Sequence, residues 1–122
     1  MKREPSGVVL YFEDNRVNFL LVEQLLRIWS LVELHHAEDG ATALEVALAV
    51  QADLVILDLH LPFASGTDIL EVIRARYANT VIAIVTADFI KAKTLTGKAD
   101  HVLIKPVSVA SLLKIAESVK SR

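Results

Sequence analysis

Cysteine is absent from the 122-residue chain, which excludes thiol catalysis, Cys-x-x-Cys redox work, cysteine-based zinc sites and disulfide staples. That absence fits a reducing, cytoplasmic setting. Glycine and proline are scarce, 4 and 3 residues, while 53% of the chain is hydrophobic. Collagen-like repeats, low complexity and intrinsic disorder are thereby excluded. Positive charge is also in short supply: 13 Lys and Arg stand against 15 Asp and Glu, a formal net charge of −2. Gripping a nucleic-acid backbone needs a basic surface, so that class is disfavoured. No run approaches the roughly 18 apolar residues that cross a bilayer, and no apolar signal segment follows the polar start. The expectation is a single domain over residues 1–122, with 1–7 as a polar lead-in. Its size is enough to bury a core without disulfides or a structural metal.

What is present is an alternation of short apolar runs with longer amphipathic ones. The short runs are Val8–Phe12, Val32–Ala37, Leu54–Leu57, Val81–Val85 and Val102–Ile104. Most are β-branched and nearly unbroken by polar residues, as expected of strands buried on both faces of a parallel sheet. The second run is the most polar and suits an edge. Between the runs, Val17, Leu21, Leu25, Ile28 and Trp29 repeat at helical spacing. So do Ala43, Leu44, Ala47, Leu48 and Val50, and then Ile69, Leu70, Val72, Ile73 and Tyr77. A last helix runs through Val109, Leu112, Leu113, Ala116 and Val119, with Ser108 as its N-cap. The segment from Ala87 to Lys98 has room for only a short helix. The order predicts an α/β fold: a doubly wound, five-stranded parallel sheet flanked by five helices, the fourth of them short.

In such sheets ligands bind beyond the carboxyl ends of the strands. Those positions hold Glu13 and Asp14 after strand 1, Asp58 after strand 3, Thr86 after strand 4 and Lys105 after strand 5. If strands 1 and 3 are neighbours, three carboxylates converge. Two carboxylates about 4 Å apart repel by ~1 kcal/mol in water and ~4 kcal/mol at an effective dielectric of 20. Such a cluster takes up protons or binds a cation. An all-oxygen site with few protein ligands suits Mg²⁺, which favours phosphate co-ligands. Lys105 can neutralise phosphoryl oxygens as a point charge, and Thr86 can donate a hydrogen bond to one. A carboxylate can serve as nucleophile, giving an aspartyl phosphate, and phosphoryl transfer needs little beyond positioning and charge neutralisation.

Phe12-Glu13-Asp14-Asn15, Leu57-Asp58-Leu59-His60-Leu61-Pro62 with Gly66, Val85-Thr86-Ala87 and Lys105-Pro106 follow one another in order, each just after an expected strand. In this the chain closely resembles the receiver domain of two-component response regulators, from Val8 to about Val119. The resemblance implies a flavodoxin-like sheet of order 2-1-3-4-5. It implies Asp58 as phosphoacceptor, with Glu13 and Asp14 holding Mg²⁺ together with Asp58 and the backbone carbonyl of His60. Thr86 then corresponds to the hydroxyl switch and Lys105 to the phosphate-sensing lysine, with a cis Lys105–Pro106 bond. The implied partners are a sensor histidine kinase or histidine phosphotransfer protein and an unidentified output partner. Direct nucleic-acid or membrane contact is not implied, and a homodimer stays open.

Three departures from the family pattern stand out. Val102 occupies a place where the family usually carries Tyr or Phe. Only 18 residues separate Thr86 from Lys105, fewer than is usual. Ala64 and Ser65 replace the usual Met-Asp. They put the output surface formed by helix 4, strand 5 and helix 5 in question; Val102 and the short fourth segment favour the competing reading of an interaction module that acts without phosphate, and the intact Glu13, Asp14, Asp58, Thr86 and Lys105 oppose it. An aspartyl phosphatase is disfavoured, because such enzymes commonly place a second Asp where His60 stands. An FMN-binding protein is disfavoured by the acidic loop Glu13-Asp14-Asn15, where a phosphate would have to sit. His35 and His36, adjacent on strand 2, point to opposite faces and read as surface histidines rather than a metal pair.

Overall fold

The β-branched runs form five strands: β1 (Gly7–Phe12), β2 (Val32–Ala37), β3 (Leu54–Asp58), β4 (Val81–Thr86) and β5 (His101–Ile104). Four helices stand between them: α1 (Arg16–Leu26), α2 (Gly40–Ala49), α3 (Gly66–Arg76) and α4 (Phe89–Leu95). This computed structural model describes residues 7–26, 32–60 and 66–105, together with 108, 110, 111, 114 and 115. All strand pairs are parallel, and the sheet order is β2-β1-β3-β4-β5, with the polar second strand at one edge as its composition foretold. β1 opens at Gly7, one residue earlier than the expected lead-in allowed. Its φ of 119° suits glycine, and a Cβ there would collide with the Asp53 carboxylate.

Alternate residues of each strand face opposite layers. Leu10, Phe12, Val55, Leu57, Ile82 and Ile84 pack on one face against Ala43 and Ala47 of α2 and Ile69, Leu70 and Ile73 of α3. On the other face Val9, Tyr11, Leu54, Ile56, Ala83 and Val85 meet Val22 of α1 and Ile115, with Phe19 beside them. β3 and β4 are buried along their whole length, whereas β5 is half-exposed. Fully burying a Leu or Ile side chain is worth about 1.5–3 kcal/mol, so the two central strands carry the frame on which the site is mounted.

α2 begins where Asp39 accepts from the Thr42 N–H at 2.8 Å, and α4 where Asp88 accepts from the Lys91 N–H at 2.9 Å. α4 has only 7 residues, as the spacing predicts. Val17 was expected in the apolar stripe of α1, yet it is 67% exposed. It lies in the first turn of α1, past the end of β1 at Phe12. For the fifth helix, Ala110, Ser111, Lys114 and Ile115 are helical, and Ser108 Oγ accepts from the Ser111 N–H at 3.1 Å, as its capping role requires. The rest of that helix, Ile28, Trp29, Leu61–Ser65, the Pro106 bond and the side chains of Leu21 and Leu25 lie outside the described residues. No helix among the described residues is long and apolar enough to cross a membrane.

Candidate phosphoacceptor and metal site

Parallel strands send all their carboxyl ends to one side. Because β1 lies between β2 and β3, the residues that follow β1 and those that end β3 meet there. Glu13, Asp14 and Asp58 each offer a carboxylate oxygen, and these oxygens lie within 4.8 Å of one another. Glu13 and Asp58 are each 2% exposed, while Asp14 is exposed. β5 brings Lys105 to the same place, its backbone N–H bonded to Thr86 O at 2.9 Å. Lys105 Nζ lies 2.8 Å from Asp58 Oδ2 and 3.4 Å from Glu13 Oε1. The convergence expected from the strand ends is therefore present.

The electrostatics follow from burial. Glu13 is pushed up to about 7 by burial, then by hydrogen bonding with Asp58 and by its charge, against the opposing pull of Lys105 and the Asn15 N–H. For Asp58, burial alone would raise the pKa. Hydrogen bonds with Glu13, Lys105 and the His60 N–H outweigh it and hold the carboxyl below its ordinary value. Burial likewise works against charge on Lys105, but Asp58 and Glu13 reverse that and raise its pKa. Asp58 is thus an ionised buried carboxylate, and Glu13 is poised to carry the proton that one ammonium group cannot offset. The donor set is all oxygen, and its surplus negative charge fits a hard divalent cation.

Three features of the site went unread in the sequence. The Tyr11 hydroxyl donates to Glu13 Oε1 at 3.2 Å inside the core, and burial followed by the Glu13 charge raises its pKa, so it remains a donor. His36 is no surface histidine: its Nε2 donates to the Glu13 carbonyl at 2.9 Å, and its ring stacks on Phe19 with centroids 3.6 Å apart. β2 and α1 are thereby tied to the first acid of the site. The reason lies in register, since β2 runs alongside β1 and Tyr11 pairs with His36. His35, on the other face, reaches Glu33 at 3.4 Å.

The third feature is the contact that the His60 ring makes with β4. The backbone N–H of His60 donates to Asp58 Oδ1 at 2.9 Å. Its ring Nε2 lies 3.2 Å from Thr86 Oγ1, which also accepts from the Asp88 N–H at 3.0 Å. Thr86 is completely buried, whereas His60 is exposed. An i, i+2 pairing of Asp58 and His60 hints at a turn, but nothing in the spacing announces that the ring crosses to β4. Close behind Asp58, a Cβ on Gly66 would sit 2.7 Å from Leu59 Cα, so glycine is required where α3 starts against the residue that follows β3.

A sheet of this order, with acids and a lysine gathered at its carboxyl mouth, defines the CheY-like class of α/β domains. The family profile of the response regulator receiver domain matches residues 9–117, and the chain belongs to that family. The cell cycle transcriptional regulator CtrA of Caulobacter vibrioides is 31% identical over 101 residues, 80% of this chain and 43% of CtrA. The aerobic respiration control sensor protein ArcB of Escherichia coli is 33% identical over 114 residues, 88% of this chain and 14% of ArcB. The chain thus spans less than half the length of these curated relatives. Among solved structures, the receiver domain of sensor histidine kinase PA1611 from Pseudomonas aeruginosa is similar, with a TM-score of 0.81 at 25% identity, covering 96% of this chain and 99% of that one. That structure holds a magnesium ion in its active-site cleft.

Proposed function

We propose that the chain accepts a phosphoryl group on Asp58 from a phosphohistidine and returns it to water, switching the binding of a partner as it does so. The observation that carries this reading is the 2.8 Å contact of Lys105 Nζ with Asp58 Oδ2 inside a cluster of carboxylates. An ionised Asp58 oxygen attacks phosphorus in line, the O–P bond forms, the P–N bond breaks, and the imidazole of the donor leaves. Lys105 holds the phosphoryl oxygens as charge builds on them. Glu13, Asp14 and Asp58, with the His60 carbonyl, are the groups that would hold Mg²⁺. When bound, Mg²⁺ supplies the positive charge that Lys105 alone does not. Hydrolysis of the acyl phosphate regenerates the Asp58 carboxylate and releases inorganic phosphate. The domain promotes both half-reactions itself and is a signalling module rather than a turnover enzyme. The donor is a sensor histidine kinase or a histidine phosphotransfer protein, and a cytoplasmic location goes with that donor.

Incubation with Mg²⁺ and acetyl phosphate tests the reading by mass spectrometry. The expected result is a gain of one phosphoryl group, abolished in Asp58→Asn. Absence of any gain in the unaltered chain favours an interaction module that works without phosphate, for which the exposed Phe89 and Ile90 of α4 offer apolar surface.

A further inference from the structure

Thr86 holds the one hydroxyl assigned above to the phosphoryl group, yet here that hydroxyl is engaged elsewhere. It is gripped from two sides, by the Asp88 N–H on its own strand's exit and by the His60 ring on the loop after β3. The two grips differ in kind. Asp88 follows Thr86 by two residues and its own carboxylate caps α4, so that contact is local to the turn between β4 and α4. His60 belongs to the acceptor's segment, 26 residues earlier in the chain, and its backbone is fastened to Asp58 Oδ1. An exposed ring therefore lies across a fully buried hydroxyl, anchored by its own main chain to the acid that is to be modified.

We propose that His60 is a positioning residue that latches Thr86 in its unphosphorylated place. The inference rests on the phosphoacceptor reading and adds the device that opposes the switch. In either tautomer the ring holds Oγ1: it accepts the hydroxyl proton or donates to a lone pair. Turning Thr86 toward a phosphoryl oxygen on Asp58 gives up this contact. A contact made in only one of two states biases the equilibrium toward that state by its full worth. Phosphorylation also recruits the Asp58 oxygens, including Oδ1, which now accepts the His60 N–H. Modification of the acid thus loosens the backbone anchor of the latch at the moment the hydroxyl is needed.

The test is the affinity for beryllium fluoride with saturating Mg²⁺, followed by amide chemical shifts at one fixed pH in the full chain. The His60→Ala variant is expected to bind about three- to tenfold more tightly, the range that one neutral hydrogen bond commands. His60→Gln places a hydrogen-bonding atom at a similar reach and is expected to return the affinity to that of the unaltered chain. In a Thr86→Ala background, His60→Ala is expected to change nothing, because the latch then has nothing to hold. Unchanged or weaker binding in His60→Ala overturns the latch, and so does an equal gain in the Thr86→Ala background. If the unaltered chain binds no beryllium fluoride and gains no mass from acetyl phosphate, the phosphoacceptor reading itself falls, a result distinct from failure of the latch.

Discussion

At the amino end of the sheet, Asp53 accepts from the Val8 N–H at 2.8 Å, and Asp100 accepts from the Ile82 N–H at 2.8 Å and from Arg74 at 2.9 Å. At the carboxyl end, Glu13, Asp14 and Asp58 gather within 4.8 Å, and among the described residues the one ammonium group that reaches Glu13 and Asp58 is that of Lys105. The residue chemistry is shared, but its balance is not. Each acid below finds a donor and ties neighbouring strands together. Asp100, which burial alone would raise, is held below its ordinary value by the Ile82 N–H and Arg74. Above, Glu13 is driven up to about 7, by burial first and then by the neighbouring Asp58. One end spends its carboxylates on stability, and the other keeps an unresolved charge for a ligand to resolve.

The largest test of that contrast is Lys105→Met. Removing the ammonium leaves Glu13 and Asp58 buried against each other, and loss of one partner of a buried pair costs about 3–5 kcal/mol. Lys105 is partly exposed and Glu13 can take a proton, so a loss of about 2 kcal/mol is expected from urea denaturation at pH 8, shrinking on addition of Mg²⁺. A loss that Mg²⁺ does not reduce breaks the comparison. Next comes Asp100→Ala, which leaves the N–H of the fully buried Ile82 unpaired and costs about 1–3 kcal/mol, with Mg²⁺ affinity unchanged. The depressed pKa of Asp100 means that its stabilisation is present above the ordinary value of 3.8 and lost as pH falls through the folded value. The difference between the variant and the unaltered chain is thus expected to vanish in acid.

Glu13 carries the opposite sign. A raised carboxyl favours the folded state fully below its ordinary 4.5, and this contribution is lost as pH rises through about 7. The same proton competes with the cation. Calorimetric titration should show Mg²⁺ affinity falling about twofold from pH 8 to pH 7 and about tenfold by pH 6. A flat profile separates Glu13 from the metal. The smallest effect belongs to Asp53→Ala, about 1 kcal/mol by thermal melting, because water can reach the half-exposed Val8 N–H.

The strands, their order and the convergence of Glu13, Asp14, Asp58 and Lys105 were legible because they depend on apolar runs and on positions just after them. Asp53 and Asp100 were not, because each bonds to a backbone N–H that carries no side-chain signature and lies 45 or 18 residues away. The same holds for Tyr11, His36 and the His60 ring. Their roles arise from register between strands, and a residue's own neighbours in the chain say nothing of that register. The exposure of Val17 was missed for a related reason: helical spacing tells which side of α1 is apolar but not how far the sheet extends beside it.

Gly66 has no side chain to stand between α3 and Leu59, so the helix bears directly on the main chain next to Asp58. No rotamer separates the two to absorb a displacement. α3 is thus braced against the segment that carries Asp58, its first turn resting on the Leu59 main chain and its far end at Arg76.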